Sequence, residues 1–449
     1  MGDSQAFPSL DVDRYSKMDK VKVAIVGLGT VGTGVARLLL DHGDRTARHA
    51  GCTLWLEQVV VSDVDKSRDV DLPAGLLTDD LSKVTDDPEI KVVAQLIGGL
   101  EPARTIMLKL LESGKDVVTA NKALLAEHGG ELFDRARELG RSIAFEASVA
   151  GGVPIIANIS QCLTANQIES IHGILNGTSN FIVSQMEEHG TEYDAAVKEA
   201  QDLGYAEADP AMDVVGSDAA QKLSILAHLA FGARVHWNDI PRQGIDTLNT
   251  ADLKYALELG YRIKLLAVAQ RTGEELELHV SPTLVKIGTP LAEVRGAYHA
   301  ISAVGDAVGR VFFHGLGAGQ MPTASAVVAD LIDTAVGRTA ITFGRLKLWS
   351  NLPPTITPRD HANVPGRFYM RFNVVDTPGV LAQITGALGK NNISIASVIQ
   401  HETSEEEDGV VPLVIMTATA TEGAARAAVT EIDQLEVVRP GSVRMRVLD

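Results

Sequence analysis

Residues 203–227, LGYAEADPAMDVVGSDAAQKLSILA, gather Glu207, Asp213, Asp218 and Lys222 around the start of one helix. Asp218 and Lys222 are i,i+4 neighbours, so their side chains meet on one helix face. On an open surface that spacing gives only a solvated ion pair. Here Pro210 and Gly216 interrupt the chain on either side of Asp213, and the helix runs straight into the apolar stretch SILAHLAFGA. Lys222 is therefore expected to be partly buried. A partly buried lysine one turn from a carboxylate can have its pKa lowered toward neutrality, which suits proton exchange with a substrate hydroxyl. The other carboxylates are suited to hold a substrate ammonium group.

Proton exchange with a hydroxyl calls for a redox partner, and the first strand supplies a place for one. Residues 21–27 read VKVAIVG, a valine-rich run that passes at once into GLGTVG (Gly27, Leu28, Gly29, Thr30, Val31, Gly32) and then into VARLLL. Strand, glycine turn and helix in that order are the context the dinucleotide fingerprint requires. Gly27 permits the tight turn, Gly29 lets a pyrophosphate approach the backbone, and Gly32 lets the helix pack on the strand. A second strand is expected over 56–62. Asp63 beyond it could accept from a ribose 2′-hydroxyl, though it lies farther from the glycines than is usual, while Lys66 and Arg68 could meet a 2′-phosphate. The reading leaves NAD and NADP both open.

These residues need elements to hold them, and the length allows about three domains: 449 residues, 45% hydrophobic. Alternating strands and helices over residues 21–150 predict an α/β, Rossmann-like, doubly wound parallel sheet. Its further strands, 92–99 and 116–120, end in IGG, with Gly98, and in TANK, with Lys122. Ligands bind outside such carboxyl ends, so Lys122 points to the cofactor crevice, unless it is an ordinary lysine in the helix-capping loop after Asn121. Residues 151–322 read as an α+β domain for substrate binding and dimerisation, with strands near 167–175 and 276–286. A helix over 323–336, within a segment 323–345, is expected to return to the nucleotide domain. The stretch LPPTITPRDHANVPG marks a linker over 346–366, and 367–449 reads as a βαββαβ domain with the ligand-binding cue DTPGVL.

Composition narrows the partners. A formal charge of −18 disfavours nucleic acid and anionic lipid, and no apolar run reaches the roughly 20 residues a membrane helix needs. Residues 1–20 lack the apolar core of a signal peptide and are too acidic for a transit peptide, so a flexible tail on a cytoplasmic protein is expected. Cys52 and Cys162 are too few for a disulfide scaffold.

The segments GLGTVG, VTANKALLA, FEASVAGGVPII, GILNGTSNFI, LGYAEADPAMDVVGSDAAQKLSILA and GAGQMPTASAVVAD occur in the order and spacing of bacterial homoserine dehydrogenases. The tail resembles the ACT domain often fused to them, and the resemblance covers nearly everything after Lys20. It implies reversible interconversion of L-homoserine and L-aspartate 4-semialdehyde with NAD or NADP, on the route to threonine, methionine and isoleucine. It implies Lys222 as the acid/base, Asp218 as its orienting partner, and Lys122 between substrate and nicotinamide. Glu207, Asp213, Gly177 and Thr178 become substrate contacts, and Gly319 lies against the cofactor. Glu146, Val149, Gly151 and Val153 match a loop that holds a structural sodium ion, oxygen ligation that suits a hard cation. The family commonly has an acidic residue just before IGG where this chain has Gln95. The ACT-like tail implies threonine feedback through Asp376, Gly379 and Asn391, or a purely assembling role, in a homodimer or homotetramer.

Two other functions compete. A semialdehyde dehydrogenase working through a thioester needs an activated thiolate, and neither cysteine sits in a suitable motif. A non-catalytic amino-acid sensor would need no lysine paired with a carboxylate beside its relic nucleotide domain.

Overall fold

The computed structural model describes residues 19–349, 354, 356–401 and 409–449. Most of the expected tail, 1–18, and part of the expected linker, 350–353 and 355, lie outside the described residues. The chain forms two compact units, one of residues up to 154 with 318 onward to the linker, the other of 155–317 with the C-terminal part.

The first unit is a parallel six-stranded sheet in the order β3-β2-β1-β4-β5-β6. Its strands are β1 (Lys20–Val26), β2 (Thr53–Val60), β3 (Leu77–Thr78), β4 (Ile90–Gln95), β5 (Asp116–Thr119) and β6 (Ile143–Ala144). Both faces are covered, so the centre of β1 is valine, alanine and isoleucine buried without alternation. The order reverses between β1 and β4, which creates the crevice where such sheets bind ligands. β2 starts three residues earlier than expected, because Trp55 and Glu57 alternate outward and hide the strand from a reading based on apolar runs. β4 stops at Gln95, leaving IGG in the loop.

One helix was expected over 323–336. Two are found, Gln320–Ala335 and Arg338–Leu346, parted by Gly337 in the left-handed region at φ 83°. The first begins earlier than expected because Pro322 falls in its first turn, where proline is tolerated. It packs on the helix Thr30–Asp41 at Gly34, where a Cβ would stand only 2.9 Å from that of Ala324.

The second unit carries one mixed sheet of eleven strands among the described residues, its main path β11-β10-β7-β8-β9-β17-β13-β15-β14. The catalytic part contributes β7 (Ile168–Ile174), β8 (Tyr261–Thr272), β9 (Glu275–Lys286), β10 (Tyr298–Gly305) and β11 (Gly309–Leu316). Sequence reading anticipated β7 and β9. It missed β8, whose run RIKLLAVA is buried with no period-two pattern, although Gly273 and Glu274 form a two-residue turn into β9. β12 (Thr357–Pro358) adds to β9. The tail contributes β13 (Pro365–Val375), β14 (Ile395–Gln400), β15 (Val410–Thr417), β16 (Ala420–Thr421) and β17 (Val438–Leu448), with helices Val380–Lys390 and Glu422–Ile432.

The tail is not a separate body. β17 pairs in parallel with β9, Arg446 opposite Thr283 through Leu448 opposite Val285. Along β13 the side chains alternate: Phe368, Met370 and Phe372 enter the tail's own core, while Tyr369 and Arg371 turn to Asp252 on the helix Thr250–Glu258. Arg371 grips the fully buried Asp252 with Nε at 2.7 Å and Nη2 at 3.1 Å, and Tyr369 donates its hydroxyl at 2.9 Å. Burial and the Asp252 charge push the Tyr369 phenol well above its ordinary pKa.

Candidate active site

In the second unit the helix Ser217–Phe231 is buried over most of its length. Gly216 precedes it in the left-handed conformation at φ 81°, so the short helix Ala211–Val214 turns abruptly and Asp213 ends up near Asp218. Lys222 Nζ donates to Asp218 Oδ2 at 2.7 Å and to the Leu175 carbonyl at 2.7 Å. Lys222 is 8% exposed and Asp218 5%, which separates this pair from a solvated surface bridge.

Asn176 organises the cluster. Its Nδ2 donates to Asp213 Oδ1 at 2.7 Å and to Asp218 Oδ2 at 2.9 Å, while its Oδ1 accepts from the Ser179 N–H at 2.7 Å and caps the helix Gly177–His189. Every polar letter of NGTSNF is used. Thr178 Oγ1 donates to the Tyr205 carbonyl at 2.6 Å, Ser179 Oγ to the Asp213 carbonyl at 2.9 Å, and Asn180 Nδ2 to the Gly296 carbonyl at 2.8 Å. Gly177 is required because a Cβ there would lie 2.7 Å from the Ala297 carbonyl oxygen. Sequence reading took the neighbouring Gly177 and Thr178 as substrate contacts but missed the bridging of two acids by Asn176; a polar run directly after an apolar strand was the available signal.

Asp213, Asp218 and Lys222 are thus tied into one network through Asn176, with Thr178 beside it bonded to the Tyr205 carbonyl. Glu207 is not: it is exposed, and its carboxylate has no hydrogen bond or ion pair among the described residues. That leaves it available to a ligand.

Lys264 on β8 was also missed. Its Nζ lies 3.4 Å from Asn180 Oδ1 and donates to the Val294 carbonyl, and burial lowers its pKa to about 8. The folded value lies below the unfolded one, so unfolding takes up a proton between pH 8 and the ordinary lysine value of 10.5. Stability contributed by this group therefore rises with pH across that window. In Lys264→Met that rise should vanish from the dependence of Tm on pH; an unchanged curve would contradict the assignment.

The nucleotide site lies in the first unit. Gly27 has φ 101°, and a Cβ on it would touch the Leu96 carbonyl at 3.0 Å; a Cβ on Gly32 would come within 2.1 Å of the Gly27 oxygen; Gly29 has open space around it. The helix Thr30–Asp41 begins at Gly29 with no side-chain cap, so its first N–H groups face the place a pyrophosphate would take. The residues fit a dinucleotide. Gly29→Ala is expected to leave Tm unchanged and to raise the cofactor KM roughly tenfold, whereas Gly32→Ala should lower stability by about 1–3 kcal/mol through overpacking. Equal effects on Tm would refute this division.

Asn121 binds the next two loops together. Its Nδ2 donates to the carbonyls of Ile97 at 2.9 Å and Gly99 at 2.7 Å, and its Oδ1 caps the helix Lys122–Glu138 at the Leu124 N–H. This sets Gly98 exposed in the loop and Lys122 at the first helical position. Gln95, fully buried, accepts from Thr119 Oγ1 at 3.1 Å and donates to the Ala103 carbonyl at 3.4 Å, a double role that a carboxylate could not fill. Gly319, at φ 112°, is the residue before the helix Gln320–Ala335.

The acid of the expected ion loop, Glu146, is buried in a turn, and its N–H donates to Asp330 Oδ2 at 2.8 Å. Burial and the Glu146 charge push the Asp330 carboxyl well above its usual range. Val149 and Val153 are buried, and Ala150 and Gly151 have positive φ.

The expected regulatory residues fall at the two ends of one helix. Asp376 is exposed and Gly379 starts the helix Val380–Lys390 at φ 93°, but Asn391 stands at the far end of that eleven-residue helix, about 16 Å away within the chain. Its amide donates to the Ala387 carbonyl and to Glu431. The thioester alternative also loses its nucleophile: Cys52 is buried with its thiol pKa pushed up by burial, and Cys162 is exposed at the end of a π-helical turn.

A glycine turn at the switch point of a parallel sheet that matches an NAD-binding domain, with a buried lysine–carboxylate pair in the second unit, is the outline of an NAD(P)-dependent oxidoreductase. The family model for homoserine dehydrogenase matches residues 154–332, that for the homoserine dehydrogenase NAD-binding domain 27–146, and that for the ACT domain 368–437. A homoserine dehydrogenase of Pseudomonas aeruginosa is 44% identical over 96% of this chain and 99% of its own. The crystal structure of one from Thiobacillus denitrificans superposes with a TM-score of 0.88 at 42% identity, covering 96% and 99%. A hyperthermophilic archaeal homoserine dehydrogenase in complex with NADPH gives 0.58 at 25%, covering 70% and 97%. The chain belongs to the homoserine dehydrogenase family, in the form that carries a C-terminal ACT domain.

Proposed function

We propose that this chain interconverts L-homoserine and L-aspartate 4-semialdehyde with Lys222 as the acid/base. The observation that carries the assignment is the buried Lys222 ammonium group held between Asp218 and the Leu175 carbonyl. In homoserine oxidation the neutral Lys222 Nζ accepts the hydroxyl proton, and in the reverse direction the ammonium returns it. Bound NAD(P) supplies the hydride acceptor or donor. Asp218 orients the amine; Asp213, Glu207 and the N–H groups of Gly177 and Thr178 hold the substrate; Lys122 polarises the reacting oxygen. Gly27 to Gly32, Gly98 and Gly319 line the cofactor. Asp63 Oδ1 already accepts from the N–H groups of Asp65 and Lys66, which supports NADP over NAD.

The test is the initial rate of reduced-cofactor formation from L-homoserine with NAD and NADP separately. Turnover with neither would sink the proposal and promote the sensor alternative; the ratio of the two rates reads the cofactor preference.

The reading extends to a cytoplasmic homodimer or homotetramer under threonine feedback. An ACT domain supports an amino-acid effector, and no helix among the described residues is long and apolar enough to cross a membrane. As the resemblance implies, Glu146 with the carbonyls of Val149, Gly151 and Val153 would be the ligands of a structural sodium ion. Sodium, but not potassium, should then raise Tm.

A further inference from the structure

A polar cavity of about 270 Å³ lies in the seam of the mixed sheet, between β9 of the catalytic part and β17 of the tail. It falls below the roughly 300–1,000 Å³ of common ligand pockets, so it suits a small metabolite and not a nucleotide. Four arginines line it: Arg242 from the catalytic part, Arg426 from the helix Glu422–Ile432, and Arg444 and Arg446 from β17. Glu422 is buried and engaged by Arg444 and, at 3.3 Å, by Arg446, which also reaches Glu277 at 3.3 Å. Two carboxylates thus answer two guanidinium groups.

The other two are unanswered. Arg242 lies over the Trp237 ring at 5.3 Å and makes a 3.4 Å bond to the neutral Asn238 amide. The Arg426 side chain has no hydrogen bond or ion pair among the described residues. The buried Nδ1 of His361, also on the cavity wall, has no hydrogen-bond partner there either. In a chain of net charge −18 this is a local excess of positive charge with an unsatisfied polar atom beside it.

The wall of the cavity touches the catalytic helix. Gln243 N–H donates to the Val280 carbonyl at 2.8 Å. A Cβ built on Gly216 would lie 3.1 Å from Val280 Cγ1 and 3.7 Å from the Gln243 carbonyl oxygen. Gly216 is the residue from which the helix carrying Asp218 and Lys222 starts. No slack separates the two, so displacing the wall displaces the first turn of that helix.

We propose that this cavity is an effector site that binds a small carboxylate between Arg242 and Arg426 and transmits its occupancy through Val280 and Gly216 to the catalytic helix. It is distinct from the turn at Asp376 and Gly379. A planar carboxylate suits the fork of a guanidinium. The transmission rests on the role of Lys222 given above; the binding does not.

The test is calorimetric titration of the full chain with L-aspartate, L-threonine and inorganic phosphate, on the wild type, the double variant Arg242→Gln/Arg426→Gln, and Asp376→Ala. At least one amino acid should bind the wild type. Its affinity should fall roughly tenfold or more in the double variant, as loss of charge-assisted bonds implies, and stay unchanged in Asp376→Ala. The same ligand should shift the homoserine KM or kcat of the wild type but not of the double variant, whose basal turnover should match. Binding lost in Asp376→Ala and kept in the double variant overturns the site, as does binding of phosphate alone or of nothing. A ligand bound at the cavity that leaves wild-type turnover unmoved overturns the transmission.

Discussion

Lys222→Ala should lose homoserine turnover by roughly 10²-fold or more, the usual size of a general acid/base contribution, with cofactor binding nearly intact. The substitution also strands Asp218, 5% exposed and deprived of its ammonium partner, so some loss of Tm is expected with it. The double variant Lys222→Ala/Asp218→Asn separates the two effects. Removing the stranded charge should restore Tm, whereas turnover should stay low because no group replaces the amine. Recovery of turnover along with Tm would show that Lys222 is structural. The pH profile gives a second check. Oxidation needs the neutral amine and should rise with pH through the lysine pKa, and reduction needs the ammonium and should fall over the same range. A profile flat in both directions would remove Lys222 from the chemistry.

Asp252→Ala should be among the most destabilising single substitutions in the chain, at about 3–5 kcal/mol, the range for breaking one side of a buried ion pair. Asp252 is fully buried and takes two bonds from Arg371 and one from Tyr369. Its loss leaves a guanidinium, itself 4% exposed, with no opposing charge at the point where the tail meets the catalytic part. Replacing both partners, Asp252→Leu with Arg371→Met, should recover most of the loss, because no charge is then left buried. Chemical denaturation of the single and double variants measures this; a single variant within about 0.5 kcal/mol of wild type, the usual range for surface changes, would show the pair to be idle.

The same contacts decide how regulation can be tested. Removing residues 367–449 takes away β17 from the edge of β9 and Arg371 from Asp252. An exposed strand edge and an orphaned buried carboxylate would then confound any change in threonine response. Point substitutions at Asp376 and at the seam arginines avoid that.

Much of this molecule was legible in its residues because local rules suffice for it. The glycine turn was readable because its geometry follows from one tight strand-to-helix turn, and at Gly27 and Gly32 a side chain would collide with neighbouring backbone while Gly29 stands in open space. Asp218 and Lys222 were readable because an i,i+4 pair on a helix entering an apolar run must meet and must be partly covered. The βαββαβ order of the tail was readable from its turns. By contrast, β8 was hidden, because a strand buried on both faces shows no period of two. That Asn391 caps the far end of the helix that Gly379 starts was likewise not readable, because it depends on how far the helix runs.

What the sequence determined alone is therefore the set of reactive groups and the elements that carry them: a dinucleotide turn, a lysine paired with a carboxylate, and a family resemblance built on both. Only the tertiary structure decided that Asn176 bridges Asp213 and Asp218, 37 and 42 residues away. Only it decided that Asp252 pairs with Arg371 across 119 residues and that β17 extends the catalytic sheet. The physical reason is that these contacts follow from packing, not from any local period. A side chain's partner at such separations is set by which buried polar groups must satisfy one another once the sheet has closed around them.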